Sequence, residues 1–244
     1  MIDLHSHVLF GIDDGPDDLE GSLEICRAAA ADGIEVLAAT PHVRDDHITT
    51  AELMLQRLEE VRAAAGSMLT LVPGGEFAIE ELQRPLAEIH RFGLGGNPAY
   101  LLVETPYVGW PLDIGERLFG LRVAGITPVL AHPERNMEVQ MQPELVEPLV
   151  ASGTLVQLTA GAVDGRLGGR SEKCSRTLIE RGWAHLIASD AHESSVRAVG
   201  LRTAADAVGG ELGHWLTDDL PRAIVEQRPL PPRPESHQRR RLFR

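Results

Sequence analysis

The sequence predicts an α/β fold of seven strand–helix units with parallel strands, and three observations predict it. Short β-rich runs recur along the chain, segments of helical composition separate most of them, and runs such as YLLVE and HLIAS are nearly unbroken apolar stretches. Strands covered on both faces read that way, and alternation with helices requires parallel pairing. A closed or nearly closed barrel fits seven such units. With 244 residues, 43% of them hydrophobic, and no internal repeat, low-complexity stretch or Ser/Gly linker, a single domain with a substantial core is the economical organisation.

The seven expected strands lie in MIDLH, EVLAAT, LTLVPG, AYLLVET, TPVLAH, TLVQLT and AHLIAS. After the first, LEGSLEICRAAAADG carries Leu19, Leu23, Ile25 and Cys26 at a roughly helical period. After the second, TAELMLQRLEEVRAAAG carries Leu53, Leu55, Leu58 and Val61. Gly33 and Gly66 stand where helix ends favour glycine, and Thr50 stands where an N-cap is needed. The last segment, EQRPLPPRPESHQRRRLFR, is rich in proline and arginine and is expected to extend from the core as a loose basic tail. The expected organisation is therefore a body over residues 1–228 and a tail over 229–244.

A net charge of −13 argues against nucleic acid or an anionic membrane as the main partner, since both reward a basic surface. An anionic substrate would need local positive charge, which bound divalent cations supply. No apolar stretch reaches membrane-spanning length, and no basic segment followed by an apolar one marks a leader. Cys26 and Cys174 are far apart and not spaced for zinc or redox work. A reducing, cytoplasmic location without stable membrane insertion is the expectation, and the oligomeric state is left open.

Functional groups in parallel α/β folds gather at the C-terminal ends of strands. Here His5 and His7 close the first strand, His42 follows the second, Glu76 the third, Glu104 ends the fourth, His132 the fifth, and Asp190 with His192 follow the seventh. Each alone has an ordinary structural explanation: HSH as a hydrogen-bonded strand end, Glu104 as a carboxylate paired with Arg135 or Lys173, SDAH as a capping turn. Convergence on one rim favours a multinuclear metal centre instead. Strand alternation also puts His5 and His7 on one face. Imidazoles and carboxylates without thiolates suit Mn, Fe, Zn or Co, and the surplus of ligands predicts two or three ions with a shared carboxylate such as Glu76. His47, His90, His185, His214 and His237 are expected away from this rim.

In MIDLHSHVLFGIDDGP, ATPH, PGGEF, LLVETP, GITPVLAHPERN and LIASDAH, taken in order, the chain resembles the PHP (polymerase and histidinol phosphatase) family. Within it, the chain is most similar to the bacterial tyrosine phosphatases of capsule and exopolysaccharide gene clusters. The likeness runs from Met1 to about Arg228. It implies a distorted (β/α)7 TIM-like barrel and a trinuclear, commonly manganese-dependent centre. By motif position, His5, His7, Glu76 and Asp190 would serve one metal, Glu76, Glu104 and His132 a second, and Asp14, His42 and His192 the third. Asp13 is either the ligand in place of Asp14 or a partner orienting a histidine. After SDAH the family often has Gly-Arg-Pro-Pro where this chain reads ESSVRAVG, so Arg197 keeps an arginine in changed surroundings.

The implied reaction is hydrolysis of a phosphate ester by attack of a metal-bound hydroxide on phosphorus. Arg135 and Arg197 would bind the remaining phosphoryl oxygens, and His42 or His192, when not fully committed to metal, would pass a proton to the leaving group through water. A tyrosyl leaving group, whose acid has a pKa of about 10, needs that proton less than an alkoxide does. The expected substrate is a phosphotyrosine protein, a bacterial tyrosine kinase tail. A cysteine mechanism needs an arginine six positions after the nucleophile, and Asp32 and Glu180 stand there instead. The alternatives are a PHP phosphatase for histidinol phosphate or a sugar phosphate, and a non-catalytic, metal-dependent phosphotyrosine-binding regulator.

Overall fold

The computed structural model describes residues 1–193 and 198–234. All seven expected strands are present, but two are split, so nine parallel strands form two sheets among the described residues. One sheet has β1 (Ile2–Asp3), β2 (Val36–Ala39) and β4 (Thr70–Pro73) in the order β1-β2-β4. The other runs β3 (His42–Val43), β5 (Glu76–Ala78), β6 (Tyr100–Glu104), β7 (Thr127–Ala131), β8 (Leu155–Thr159) and β9 (Leu186–Ala188).

The splits have local causes. Pro41 cannot donate to a ladder, and Gly74-Gly75 interrupts the next run. Beyond those breaks the chain resumes as β3 and β5, which pair with each other at His42↔Glu76 and Val43↔Phe77. A Cβ on Gly75 would lie 2.7 Å from Phe92 Cδ1, so only glycine lets the chain pass the buried Phe92 ring and turn Glu76 inward.

Strand pairing thus describes two parallel sheets rather than the expected continuous barrel. The sheets meet at the end of β1, where Ser6 bridges Ala191 in parallel, His7 N donates to Ala191 O at 2.8 Å and Asp190 N donates to His5 O at 2.8 Å. On its other side Ser6 is held by Thr40, whose N donates to Ser6 O at 2.9 Å, and by Ala38 O, which accepts from Ser6 Oγ at 2.7 Å.

Helices cover the strands. Asp18 caps the helix Leu19–Asp32 by accepting from Gly21 N, and Gly33 closes it at φ 87°. The helix Ala51–Ala65 starts at Thr50, which accepts from Leu53 N, and ends at Gly66. Its buried stripe is Ala51, Met54, Leu58, Val61 and Ala65, while the expected Leu55 is exposed. Spacings of three and four keep those residues on one face, each large side chain contributing about 1.5–3 kcal/mol on burial.

The first residues of the expected tail contact the body. Arg233 donates to Ala184 O at 2.6 Å and to Ile179 O at 2.8 Å, and Trp215 Nε1 donates to Pro231 O at 3.3 Å. Residues 235–244, with His237, lie outside the described residues. No helix among the described residues is long and apolar enough to cross a membrane.

Candidate metal centre

All nine residues expected at the rim come together, and all but Asp14 are buried. Alternation acts as expected: His5 and His7 share a face, with Nε2 atoms 3.3 Å apart, while Ser6 points away into the Thr40–Ala38 contacts. The start of β5 brings Glu76 beside them and the turn after β9 brings Asp190. Two of the contributors, His132 (φ 32°) and Asp190 (φ 53°), sit in the left-handed region. Such a conformation costs about 1–3 kcal/mol and persists where surrounding contacts impose it.

The separations test whether ions fit. Glu76 Oε2 lies 3.4 and 3.3 Å from the Nε2 atoms of His5 and His7, and Asp190 Oδ1 lies 3.4 Å from both. A point equidistant from three atoms so spaced, such as the His5 and His7 Nε2 atoms and Asp190 Oδ1, is about 2 Å from each, the length of a metal–nitrogen or metal–oxygen bond. Buried Glu76 Oε2 and His42 Nδ1 are only 3.0 Å apart, yet neither makes a hydrogen bond among the described residues. A shared cation would satisfy both. Around Asp14 Oδ1 stand His42 Nε2 at 3.3 Å and His192 Nε2 at 3.1 Å. His132 Nε2 is 2.8 Å from Glu76 Oε1 and 3.9 Å from Glu104 Oε2.

Groups behind the cluster set the imidazole orientation. His7 Nδ1 meets Asp13 Oδ2 at 2.7 Å, His5 Nδ1 meets Gln157 Oε1 at 3.0 Å, and His192 Nδ1 donates to Asp190 O at 2.9 Å. Each partner atom is an acceptor, so each Nδ1 carries a proton and each Nε2 turns inward, the arrangement that metal-binding histidines favour. Asp13 further accepts from His42 N at 3.0 Å and Gly15 N at 3.0 Å. Asp3 Oδ1 accepts from His5 N at 3.2 Å and Ser189 N at 3.0 Å, tying β1 to the end of β9.

The electrostatics follow these pairings. Burial opposes charge on His7 and His5, but Asp13 beside the first, and Glu76 and Asp190 beside the second, hold both imidazoles above their ordinary value. Burial likewise raises Glu76 and Asp190, yet His5 with its neighbouring imidazoles brings both well below the usual carboxylate range. Against burial, His7 pulls Asp13 down to about 2, and the nearby Asp14 and Glu76 carboxylates lift His42 to about 9. Glu104 is the exception: burial and the Glu76 charge push it up to about 7. Cations entering such a cluster displace imidazole protons.

Arg135 donates to Asp190 Oδ2 and lies 4.5 Å over the Tyr107 ring, so it stands at the cluster. Arg197 lies outside the described residues. Glu104 pairs with neither Arg135 nor Lys173: Arg44 Nη1 donates to its Oε1 at 3.1 Å. His47, expected elsewhere, stacks 5.7 Å from His42, because the Arg44–His47 bridge folds the loop back over the rim. Sequence reading missed Asp3, Gln157, Arg44 and Tyr107. Gln157 sits mid-strand with no motif signal, whereas Arg44 follows His42 by two residues, an alternation that was available to read. Cys26 and Cys174 are buried, and burial pushes their thiols up to about 11 and 12. Neither is a thiolate nucleophile near neutral pH.

Parallel strands that end in a buried cluster of imidazoles and carboxylates define an α/β protein with a candidate metal centre at its strand ends. The chain belongs to the capsular polysaccharide synthesis CpsB/CapC family, whose family model matches residues 1–224. It is 32% identical to the tyrosine-protein phosphatase YwqE of Bacillus subtilis, with 100% of this chain and 99% of the relative covered. It is 28% identical to the tyrosine-protein phosphatase CpsB of Streptococcus pneumoniae, over 92% and 98% of the two chains. Its fold matches a solved chain from work on YwqE and CpsB, described as metal-dependent tyrosine phosphatases, with TM-score 0.87, 30% identity, and 96% and 99% coverage.

Proposed function

We propose that this chain is a metal-dependent protein-tyrosine phosphatase acting in the cytoplasm on a phosphotyrosine protein, a tyrosine kinase tail of capsule or exopolysaccharide synthesis. The observation that carries the chemistry is the set of 3.3–3.4 Å separations among His5, His7, Glu76 and Asp190. Family membership and the tyrosine phosphatases among its relatives support the substrate class. Residues 1–228 form the phosphatase unit in this reading, with the two sheets as arcs of a distorted (β/α)7 ring joined at Ser6 and Ala191.

His5, His7, Glu76 and Asp190 would hold one ion, Glu76, Glu104 and His132 a second, and Asp14, His42 and His192 a third, with manganese the expected metal. Bound divalent cations supply a nucleophilic water at neutral pH and neutralise phosphoryl charge. The chain's own groups do the rest. Arg135 holds a phosphoryl oxygen by charge-assisted hydrogen bonds, with Arg197 as its proposed companion. His42 or His192, when not fully committed to metal, would pass a proton through water to the leaving phenolate. Asp13 and Gln157 hold His7 and His5 in place.

The test is hydrolysis of a phosphotyrosine peptide and of histidinol phosphate by the full chain, before and after chelation and manganese addition. The expected result is loss of activity on chelation, recovery with manganese, and a preference for phosphotyrosine. Equal or reversed preference overturns the tyrosine assignment. Absence of turnover with Mn, Co, Fe or Zn overturns the enzyme reading.

A further inference from the structure

Tyr107 lies three residues beyond Glu104, at the mouth of the cluster, and is 43% exposed. Its ring centroid is 5.8 Å from that of His132, and the Arg135 guanidinium sits 4.5 Å from it on one face. The loop that carries it is fastened to the segment after β7. Met137 N donates to Tyr107 O at 2.9 Å, Asn136 Nδ2 donates to Pro106 O at 2.8 Å, and Gly109 N donates to Glu138 Oε2 at 3.0 Å. The ring is therefore a fixed aromatic wall rather than a loose surface side chain. Val108 and Met137 beside it are also exposed, so the mouth is apolar on this side. The tyrosine hydroxyl makes no hydrogen bond to a described residue, which leaves the ring itself as the group in use.

Resting on the phosphatase reading above, we propose that Tyr107 is the specificity-determining residue for aryl over alkyl phosphate esters. A phosphoryl group held by Arg135 and the histidine–carboxylate cluster brings the ring of an aryl ester out past His132, against Tyr107. Aromatic rings attract one another at centroid separations of about 4.5–7 Å in offset or edge-on geometry, and an alkyl phosphate has no ring to offer. The guanidinium on one face of Tyr107 fixes which way the ring stands, so Tyr107 orients the substrate ring while Arg135 holds the phosphoryl group.

The experiment uses the manganese-loaded full chain and measures KM for a phosphotyrosine peptide, Ki for inorganic phosphate, and Kd for phenylphosphonate by calorimetry. Tyr107→Ala should raise KM for the peptide and Kd for phenylphosphonate roughly three- to ten-fold. It should leave kcat and the phosphate Ki unchanged, because phosphate carries no ring. Tyr107→Phe should keep the wild-type values. A parallel rise in phosphate Ki shows that Tyr107 only props Arg135 and overturns the proposal, as does an unchanged peptide KM. If the wild-type chain does not hydrolyse the peptide, the phosphatase reading falls first and takes this one with it; if it does, only the role of Tyr107 is at stake.

Discussion

Asp13 and His7 meet through Oδ2 and Nδ1 at 2.7 Å, while Asp14, the next residue, turns its Oδ1 toward His42 and His192. One aspartate holds a histidine from behind and its neighbour faces the cluster. Asp13→Asn should therefore weaken manganese affinity about 10–100-fold without changing the number of ions bound at saturation. Asp14→Ala should remove one bound ion. Metal titration with elemental analysis checks both, and the reverse pattern would exchange their roles.

Gln157 Oε1 serves two partners, His5 Nδ1 at 3.0 Å and His132 N at 3.3 Å. Gln157→Leu keeps the volume and removes the acceptor. Manganese affinity should fall about tenfold and kcat/KM with it, while Gln157→Glu retains both. Unchanged metal binding in the leucine variant, with circular dichroism showing a folded chain, would remove Gln157 from the site.

Arg135→Ala should lower kcat about 10²–10³-fold on a phosphotyrosine peptide, with bound metal unchanged. Arg135→Lys should recover only part of that loss, because an ammonium lacks the planar fork of donors. If bound metal is lost in step with activity, Arg135 acts on Asp190 rather than on substrate.

Cys26→Ser and Cys174→Ser should retain kcat/KM within about twofold, since both thiols are buried and raised far above neutral pH. Inactivation of either variant with its metal content intact would contradict the metal-centred reaction.

His185 Nδ1 accepts from Val156 N at 3.1 Å, and burial, then the Arg233 charge, lowers the imidazole from 6.5 to about 4. The unfolded chain takes up a proton below pH 6.5 that the folded chain refuses until pH 4. Stability contributed by the neutral ring is thus complete above pH 6.5 and is lost as pH falls toward 4. Between pH 7 and pH 5 wild type should lose about 2 kcal/mol more than His185→Asn. Urea denaturation at the two pH values measures it, and equal losses would contradict it.

What the sequence determined by itself was periodic or punctual. Apolar runs marked the seven strands, Gly33, Gly66 and Thr50 marked helix ends, and chemistry at strand ends marked eight rim residues, because period and capping are properties of neighbouring residues; Asp14 came from the family resemblance alone. What only the tertiary structure decided lay between segments distant in the chain. The pairing of the residues beyond Pro41 and Gly74-Gly75 makes two sheets where alternation alone implied one ring. Asp13 and Asp14 are equivalent in sequence and become distinct once His7, His42 and His192 surround them. Gln157 and Tyr107 carry no local signal at all: the first matters because two histidines from other strands reach it, the second because Arg135 comes to lie on its ring. A side chain's role at a site is set by what the fold places beside it, and that information is spread across the whole chain.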